Sequence, residues 1–287
     1  MTTTTKQLII ACLGPAGTYS EQAVRQYLPE ARVAPQRFFR DVFAAVERGE
    51  ADYGMLPIEN MIEGIVRENL DLLHQHQPRV QAELLLPIRH CLCGKLQTAT
   101  TITKILSHAQ ALAQCSRYLT ATYPAVELVE VSSTAEAFRL ASASDESCAA
   151  VGPEGTAEQY GLTLLEKNIG DTAQNLTRFW VIGPSLQVLP EHDKFTLAFR
   201  FGRDQAGSLF EALRCFAEQS VNLTSIYSRP TTERLGAYVF HLDAQGNLES
   251  KAVQGVLKAL DAICETVDIL GSYRGASQLI FEESTHA

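Results

Sequence analysis

Short apolar runs alternate with helical patterns through the first two-thirds of the chain, and this alternation restricts the fold to an α/β sheet flanked by helices. The runs are LIIACL (8–13), YGMLPIE (53–59), ELLLPI (83–88), KILSH (104–108), VELVEV (126–131), CAAVG (148–152) and RFWVIG (178–183). The rhythm then breaks. The segment GPSLQVLPEHD, 183–193, carries two prolines and little periodicity, so it reads as a linker. Beyond it Phe195, Leu197, Phe199 and Phe201 alternate as in a strand, and Leu209, Leu213, Phe216 and Ala217 mark one face of a helix. NLTSIYS and AYVFHLD follow as strands, the second with Tyr238, Phe240 and Leu242 on one side. A stripe of Val253, Val256, Leu257, Leu260 and Ile263 then precedes TVDILGSY. The order β-α-β-β-α-β is the split, or ferredoxin-like, arrangement. The chain is therefore expected to be α/β, with a first domain over 1–185, a second over 194–276 and a tail over 277–287.

At 287 residues, two such domains can each bury a core without disulfide or metal support. A formal net charge of -9 leaves no basic field for the backbone of DNA or RNA, so no nucleic-acid partner is expected. The opening MTTTTKQLIIACLGPAG has one lysine and a short apolar run ended by Gly14 and Pro15, which suits a first strand and not a secretory signal. No apolar stretch approaches the length of a bilayer span; even ELLLPIRHCLCG is interrupted by Pro87, Arg89 and His90. Seven cysteines, an odd number, lie singly apart from Cys91 and Cys93, as reduced thiols of a cytoplasmic protein do. His90 next to Cys91 and Cys93 invites a metal reading. On a strand the two cysteines share one face and His90 points to the other, so a buried strand is expected and no metal.

Four strand ends lead into Ser/Thr-x-x-Glu/Gln: Thr18 with Glu21, Ser107 with Gln110, Ser133 with Glu136, and Thr156 with Gln159. Each fits a capping box, in which the hydroxyl takes a free backbone N–H and the later side chain reaches back. Helix starts after strands are also natural anion sites. The turns GPAGT (14–18) and GPEGT (152–156) are nearly identical, either echoes of two similar half-units or coincidence. Neither matches G-x-G-x-x-G or a phosphate loop, so no nucleotide cofactor is indicated.

Several segments in order, GPAGTYSEQA, LPIENMIEGIVRENLDLL, SHAQALAQC and YGLTLLEKNIGDTAQNLTRFWVIG, together resemble the prephenate dehydratase family over essentially the whole chain. Thr-Arg-Phe is that family's signature, and here it is Thr177, Arg178 and Phe179. GSLFEALRCFAEQSVNLTSIYSRP resembles the ACT regulatory domain that the family appends, a ferredoxin-like module that binds phenylalanine. The resemblance implies a two-lobed catalytic domain like that of periplasmic binding proteins. It also implies conversion of prephenate to phenylpyruvate with loss of carbon dioxide and water, feedback by L-phenylalanine, no cofactor, and a homodimer or homotetramer.

The same resemblance implies roles. Thr177 hydrogen-bonds the departing hydroxyl, as a positioned donor or through a relay because a threonine is too weak an acid to transfer a proton freely. Arg178 docks a carboxylate or holds acidic partners of the pocket, with a structural ion pair as its plainer role. Phe179 packs on the substrate ring or fixes the strand. Asn60 offers its amide to the substrate, and Thr18, Ser20, Ser107 and Gln110 sit at helix starts facing the cleft. Gly207, Ser208, Leu209, Asn222, Leu223, Tyr227, Ser228 and Arg229 form the phenylalanine pocket, across a dimer interface. The chain departs from the family pattern at Met61, where serine is usual, at Asn69, at Ala109, and at Tyr227, which replaces a glutamate. Other readings stay open: an arogenate dehydratase, a decarboxylase that does not aromatise, and a non-enzymatic amino-acid sensor.

Overall fold

The computed structural model describes residues 7–95, 102–144, 147–203, 205–231 and 236–276; the expected tail, 277–287, lies outside them. Two compact units are present, one of Met1–Leu70 with Leu86–Phe179, the other of Asp71–Leu85 with Trp180–Ala287. The elements run β1 (Ile9–Leu13), α1 (Tyr19–Tyr27), β2 (Arg32–Gln36), α2 (Phe39–Glu47), β3 (Tyr53–Asn60), β4 (Gly64–Ile65), α3 (Arg67–His76) and β5 (Arg79–Pro87). Next come β6 (Cys91–Gly94), β7 (Lys104–Ser107), α4 (Ala109–Gln114), α5 (Ser116–Thr122), β8 (Glu127–Glu130), α6 (Thr134–Ala143), β9 (Cys148–Gly152), α7 (Glu154–Ala157) and β10 (Thr163–Glu166). The remainder is β11 (Leu176–Gly183), β12 (Lys194–Arg200), α8 (Ser208–Glu218), β13 (Leu223–Pro230), β14 (Tyr238–Gln245), α9 (Lys251–Ile263) and β15 (Thr266–Tyr273). The fold is mixed α/β, as the alternation of apolar runs requires.

In the first unit β1 pairs in parallel with both β2 and β3, and β4 folds back on β3. A second sheet has the order β10-β6-β9-β7-β8. Its central strand β9 is buried at every position because both faces are covered. Alternation sends Cys91, Cys93 and Ala150 into one core with Phe138, and Leu92, Ala149 and Val151 into another with Leu112 and Leu119. Gly152 is required here, since any Cβ would run into the Phe138 ring. β2 escapes sequence reading because Pro35 stands inside it, yet it forms an edge of its sheet, where a missing N–H costs no ladder bond.

The second unit shows the expected β-α-β-β-α-β order, with antiparallel neighbours in the sequence β13-β14-β12-β15. Phe195, Leu197, Phe199, Phe216, Leu242, Val256 and Leu260 make its core. Two residues of the expected helical stripes fall outside it. Ala217 is exposed and Ile263 is 43% exposed, because the buried faces turn on Ala212, Cys215 and Phe216 and on Val253, Val256 and Leu260 instead.

One buried group gives this unit an acid limit. His241 on β14 is 2% exposed, and among the described residues its Nδ1 has no hydrogen-bond partner. Burial pulls its pKa down to about 4, helped by His74 and opposed by Asp243 and Asp71. The folded pKa lies below the unfolded one, so the unfolded chain binds the extra proton as pH falls. The stabilising contribution is complete above about pH 6.5 and drains away between about pH 6.5 and 4. Urea unfolding of the wild type and of His241→Gln should diverge above about pH 6 and converge towards about pH 4; parallel curves would contradict this.

Candidate active site

Leu176 to Phe179 open β11 directly after Asn175, and strand alternation splits their side chains between two faces. Thr177 and Phe179 line a cavity of about 1030 Å³ that lies wholly within the first unit. Arg178 takes the other face, where its Nε lies 3.3 Å from Glu59 Oε2. Of the expected site residues, Asn60, Thr18, Ser20 and Gln110 also line the cavity, while Arg178 and Ser107 are not among its lining residues.

Ser107 is fully buried as the last residue of β7, and its hydroxyl donates to the Val151 carbonyl at 2.6 Å. The strand runs one residue further than the capping-box reading assumes, so His108 becomes the cap and its Nδ1 accepts from the Gln110 N–H at 3.3 Å. Thr18 and Ser133 do cap α1 and α6. Glu21 reaches one residue beyond its cap, to the Gly17 N–H at 2.8 Å. Thr156 caps nothing: it lies inside α7, and its Oγ1 donates to the Gly17 carbonyl at 2.5 Å while Tyr160 donates to Ala16 at 3.1 Å. The two similar turns are thus held together, Thr156 of one and Tyr160 just after it clamping the other. Gly17 has φ +87°, and a Cβ there would strike Thr156. Gly17→Ala should cost about 1–3 kcal/mol in urea unfolding, from the left-handed backbone and the contact together; wild-type stability would refute the clamp.

A continuous chain of polar bonds crosses the cavity wall. Asn60 Nδ2 donates to Thr177 Oγ1 at 2.9 Å and to Asn175 Oδ1 at 2.7 Å. Asn175 Nδ2 donates to Gln114 Oε1 at 3.0 Å, and the same oxygen lies 2.9 Å from His90 Nε2. His90 Nδ1 lies 2.9 Å from the Tyr19 hydroxyl. Burial lowers the His90 pKa, against the opposing effect of its bond to the Gln114 oxygen, and burial pushes that of Tyr19 well up, so both are neutral near pH 7. Sequence reasoning placed Asn175 in the segment on which the chemistry centres but gave it no role, missed Gln114 and Tyr19 as site residues, and weighed His90 only for metal. Gln110 and Gln114, four apart on α4, carried the available signal, since that spacing puts both on one helix face. Cys91 and Cys93 face the core away from His90, and among the described residues no group of three or more metal-ligating side chains occurs.

The starts of α1, α2 and α6 all reach the cavity, through Thr18 and Tyr19, Phe38 and Phe39, and Ser133 and Thr134. Their helix dipoles make the space favourable to anions in a protein of net charge -9. Arg37, also missed, adds a permanent cation to the lining, with its guanidinium carbon 5.1 Å from the Phe38 ring centroid. Met61 is 60% exposed and contributes its backbone N–H to the Leu176 carbonyl at 3.0 Å, a bond that does not depend on its side chain. Asn69 is fully buried and donates to the Pro57 carbonyl at 2.7 Å.

In the second unit, Gly207 sits at φ +92° before α8, and Ser208 Oγ accepts from Gln205 at 3.2 Å. Leu209 packs on the core. Asn222 donates to Gln245 Oε1 at 3.1 Å. Arg229 is engaged by both oxygens of Asp71, at 2.7 and 2.6 Å. Register places these groups apart within one chain. Leu223 pairs with Ala244, which pairs in turn with Phe195, at one end of the sheet, whereas Arg229 pairs with Val239, itself paired with Arg200, at the end from which the chain runs to Gly207. Tyr227 and Ser228 lie on β13, close to Arg229.

A prephenate dehydratase family model matches residues 10–186. The prephenate dehydratase of Methanocaldococcus jannaschii is 37% identical over 267 residues, 90% of this chain and 95% of that one. The crystal structure of a prephenate dehydratase from Arthrobacter aurescens in complex with L-Phe is 35% identical, with a TM-score of 0.85 over 93% of this chain and 90% of that one. A structure described as a novel type of quorum quenching acylase, GqqA, is 30% identical, with a TM-score of 0.86 over 93% of this chain and 98% of that one. With Thr177, Phe179 and their partners gathered on one cavity, a family model over residues 10–186 and relatives matching nine-tenths of the chain, the chain belongs to the prephenate dehydratase family.

Proposed function

We propose that the protein is a prephenate dehydratase, converting prephenate to phenylpyruvate, carbon dioxide and water in phenylalanine biosynthesis, with L-phenylalanine as feedback effector. The observation that carries this is the Thr177 hydroxyl. Its oxygen accepts from Asn60, so its own proton remains to be donated into the cavity. In the reaction the ring C–CO₂⁻ bond breaks and its electron pair enters the ring. The opposite C–O bond breaks, and the departing hydroxyl gains a proton to leave as water. Aromatisation drives both cleavages, so no cofactor is needed. The protein must hold two carboxylates and favour departure of hydroxide. Thr177 aims a hydrogen bond at the leaving oxygen, and a proton from solvent completes the water. Arg37 and the helix starts suit the carboxylates, Phe179 packs on the ring, and Ser20 and Gln110 add polar contacts. Arg178, paired with Glu59, orders β11 beside β3 and acts on the substrate only through that order.

The first domain, 1–185, is read as two lobes like those of periplasmic binding proteins, and 194–276 as an ACT domain. The two ends of β13 are too far apart to share one small ligand within a chain, which supports a phenylalanine pocket completed by a second copy in a homodimer or homotetramer. Among the described residues no helix is long and apolar enough to cross a membrane, and a cytoplasmic location suits the scattered free thiols.

Purified protein given prephenate alone should yield phenylpyruvate; no product at any phenylalanine concentration would refute the assignment. Competition with arogenate, which carries an amine in place of the side-chain keto group, decides between those two substrates. Acylase activity has the GqqA likeness in its favour. It calls for a nucleophile beside a free base, whereas both His90 ring nitrogens are engaged, by Tyr19 and Gln114, and His108, also on the cavity wall, spends its Nδ1 on capping α4. Release of a free acid from an N-acylated substrate would overturn that exclusion.

A further inference from the structure

We propose that His90 is a positioning residue for the reaction: held as its Nε2–H tautomer, it orients the Gln114 amide and, through Asn175 and Asn60, aims the Thr177 hydroxyl. The inference rests on the dehydratase reading. Its physical basis is that both ends of the polar chain are pinned by groups with a single hydrogen-bonding role. At one end, Asn60 Oδ1 accepts from the backbone N–H groups of Ile62 and Glu63 at 3.0 and 3.1 Å, so its Nδ2 must face Asn175 and Thr177. At the other end, Gln114 Nε2 donates to the Glu63 carboxylate at 3.2 Å, and a carboxylate only accepts. Gln114 therefore presents Oε1 inward, towards Asn175 and His90.

An oxygen at that point demands a proton on His90 Nε2. A neutral imidazole then leaves Nδ1 as an acceptor, 2.9 Å from the Tyr19 hydroxyl, with the two rings edge-on at 5.7 Å. The single Tyr19 proton also has the Arg89 carbonyl within 3.0 Å, so it is the fixed Gln114 oxygen on the other side of the ring that selects the tautomer and turns that proton towards Nδ1. His90 is 5% exposed, and burial keeps it uncharged. The imidazole touches no reacting atom in this scheme. It holds one acceptor in place, and that acceptor sets the amides that fix the Thr177 oxygen. Titratable neighbours are the Tyr19 hydroxyl and, beyond the Gln114 amide, Glu63; neither carries a positive charge to compete with the Nε2 proton.

Three measurements test this. His90→Phe keeps ring volume and removes both bonds; kcat on prephenate should fall about 10- to 100-fold with KM within about threefold. His90→Gln restores an N–H near the Nε2 position and should recover kcat to within about fivefold of wild type. Wild-type kcat in His90→Phe, or His90→Gln no better than His90→Phe while both show wild-type circular dichroism, would overturn the proposal. The ¹⁵N shifts of the His90 ring in the wild-type protein are independent of turnover and of variant folding. Nε2 should stay protonated and Nδ1 bare from about pH 7 to 8; an Nδ1–H tautomer or an imidazolium there would overturn the proposal. If the wild type makes no phenylpyruvate, the dehydratase reading fails by that assay, and the ring shifts still decide the tautomer.

Discussion

Replacing Thr177 with alanine is expected to lower kcat on prephenate by about 10²- to 10³-fold while KM stays within about threefold. The hydroxyl sits on the cavity wall with its oxygen held by Asn60 at 2.9 Å, so it is aligned before substrate arrives. A neutral hydroxyl gains little from a ground-state alcohol that water would solvate as well. As the ring C–O bond lengthens, negative charge grows on the leaving oxygen and the same hydrogen bond strengthens. Its loss is therefore felt in the transition state and hardly in substrate binding. Thr177→Ser retains the group with a freer rotor and should stay within about tenfold of wild type. Steady-state rates for both variants give the comparison. Equal losses in kcat and in apparent affinity would remove Thr177 from the leaving-group role.

Asn60→Asp should be at least as damaging, and for a different reason. The two side chains have the same shape, but the Asn60 amide donates to Asn175 Oδ1, the Leu176 carbonyl and Thr177 Oγ1. A carboxylate places an acceptor against those oxygens, with its charge 8% exposed in place of the amide. Such a buried, mispaired group costs about 3 kcal/mol, and Thr177 loses its alignment as well. We expect kcat/KM to drop by about 10³-fold, together with a urea midpoint below that of the wild type. The charge is the discriminating element. Activity should recover in part below about pH 5, where a protonated carboxyl can donate again. A variant with wild-type stability and a flat pH profile would show that the amide is not the hub the geometry makes it.

Much of the site was legible because its parts are local. The helix starts at Thr18 and Ser133 follow from a hydroxyl three residues ahead of an acidic one, and Thr177 and Asn60 stand in short segments that resemble a family pattern. Ser107 misled because a capping box and the end of a strand look alike in sequence. Only the parallel pairing of β7 with β8 and β9 makes Ser107 a buried strand residue and moves the cap to His108. Arg178 shows the opposite limit. Alternation along β11 already separates it from Thr177, but which face meets the cavity depends on the neighbouring strand.

The amino-acid sequence by itself determined the α/β alternation of the first unit, the β-α-β-β-α-β order of the second, and the segment around which the chemistry gathers. Those properties rest on periodicity and capping, which act over a few residues. Tertiary structure alone decided that Tyr19, His90, Gln114, Asn175, Asn60 and Thr177 form one polar chain, and that the GPEGT segment clamps the GPAGT turn. Hydrogen-bond partners 115 or 139 residues apart are chosen by strand order and register, and neither leaves a periodic trace in the chain.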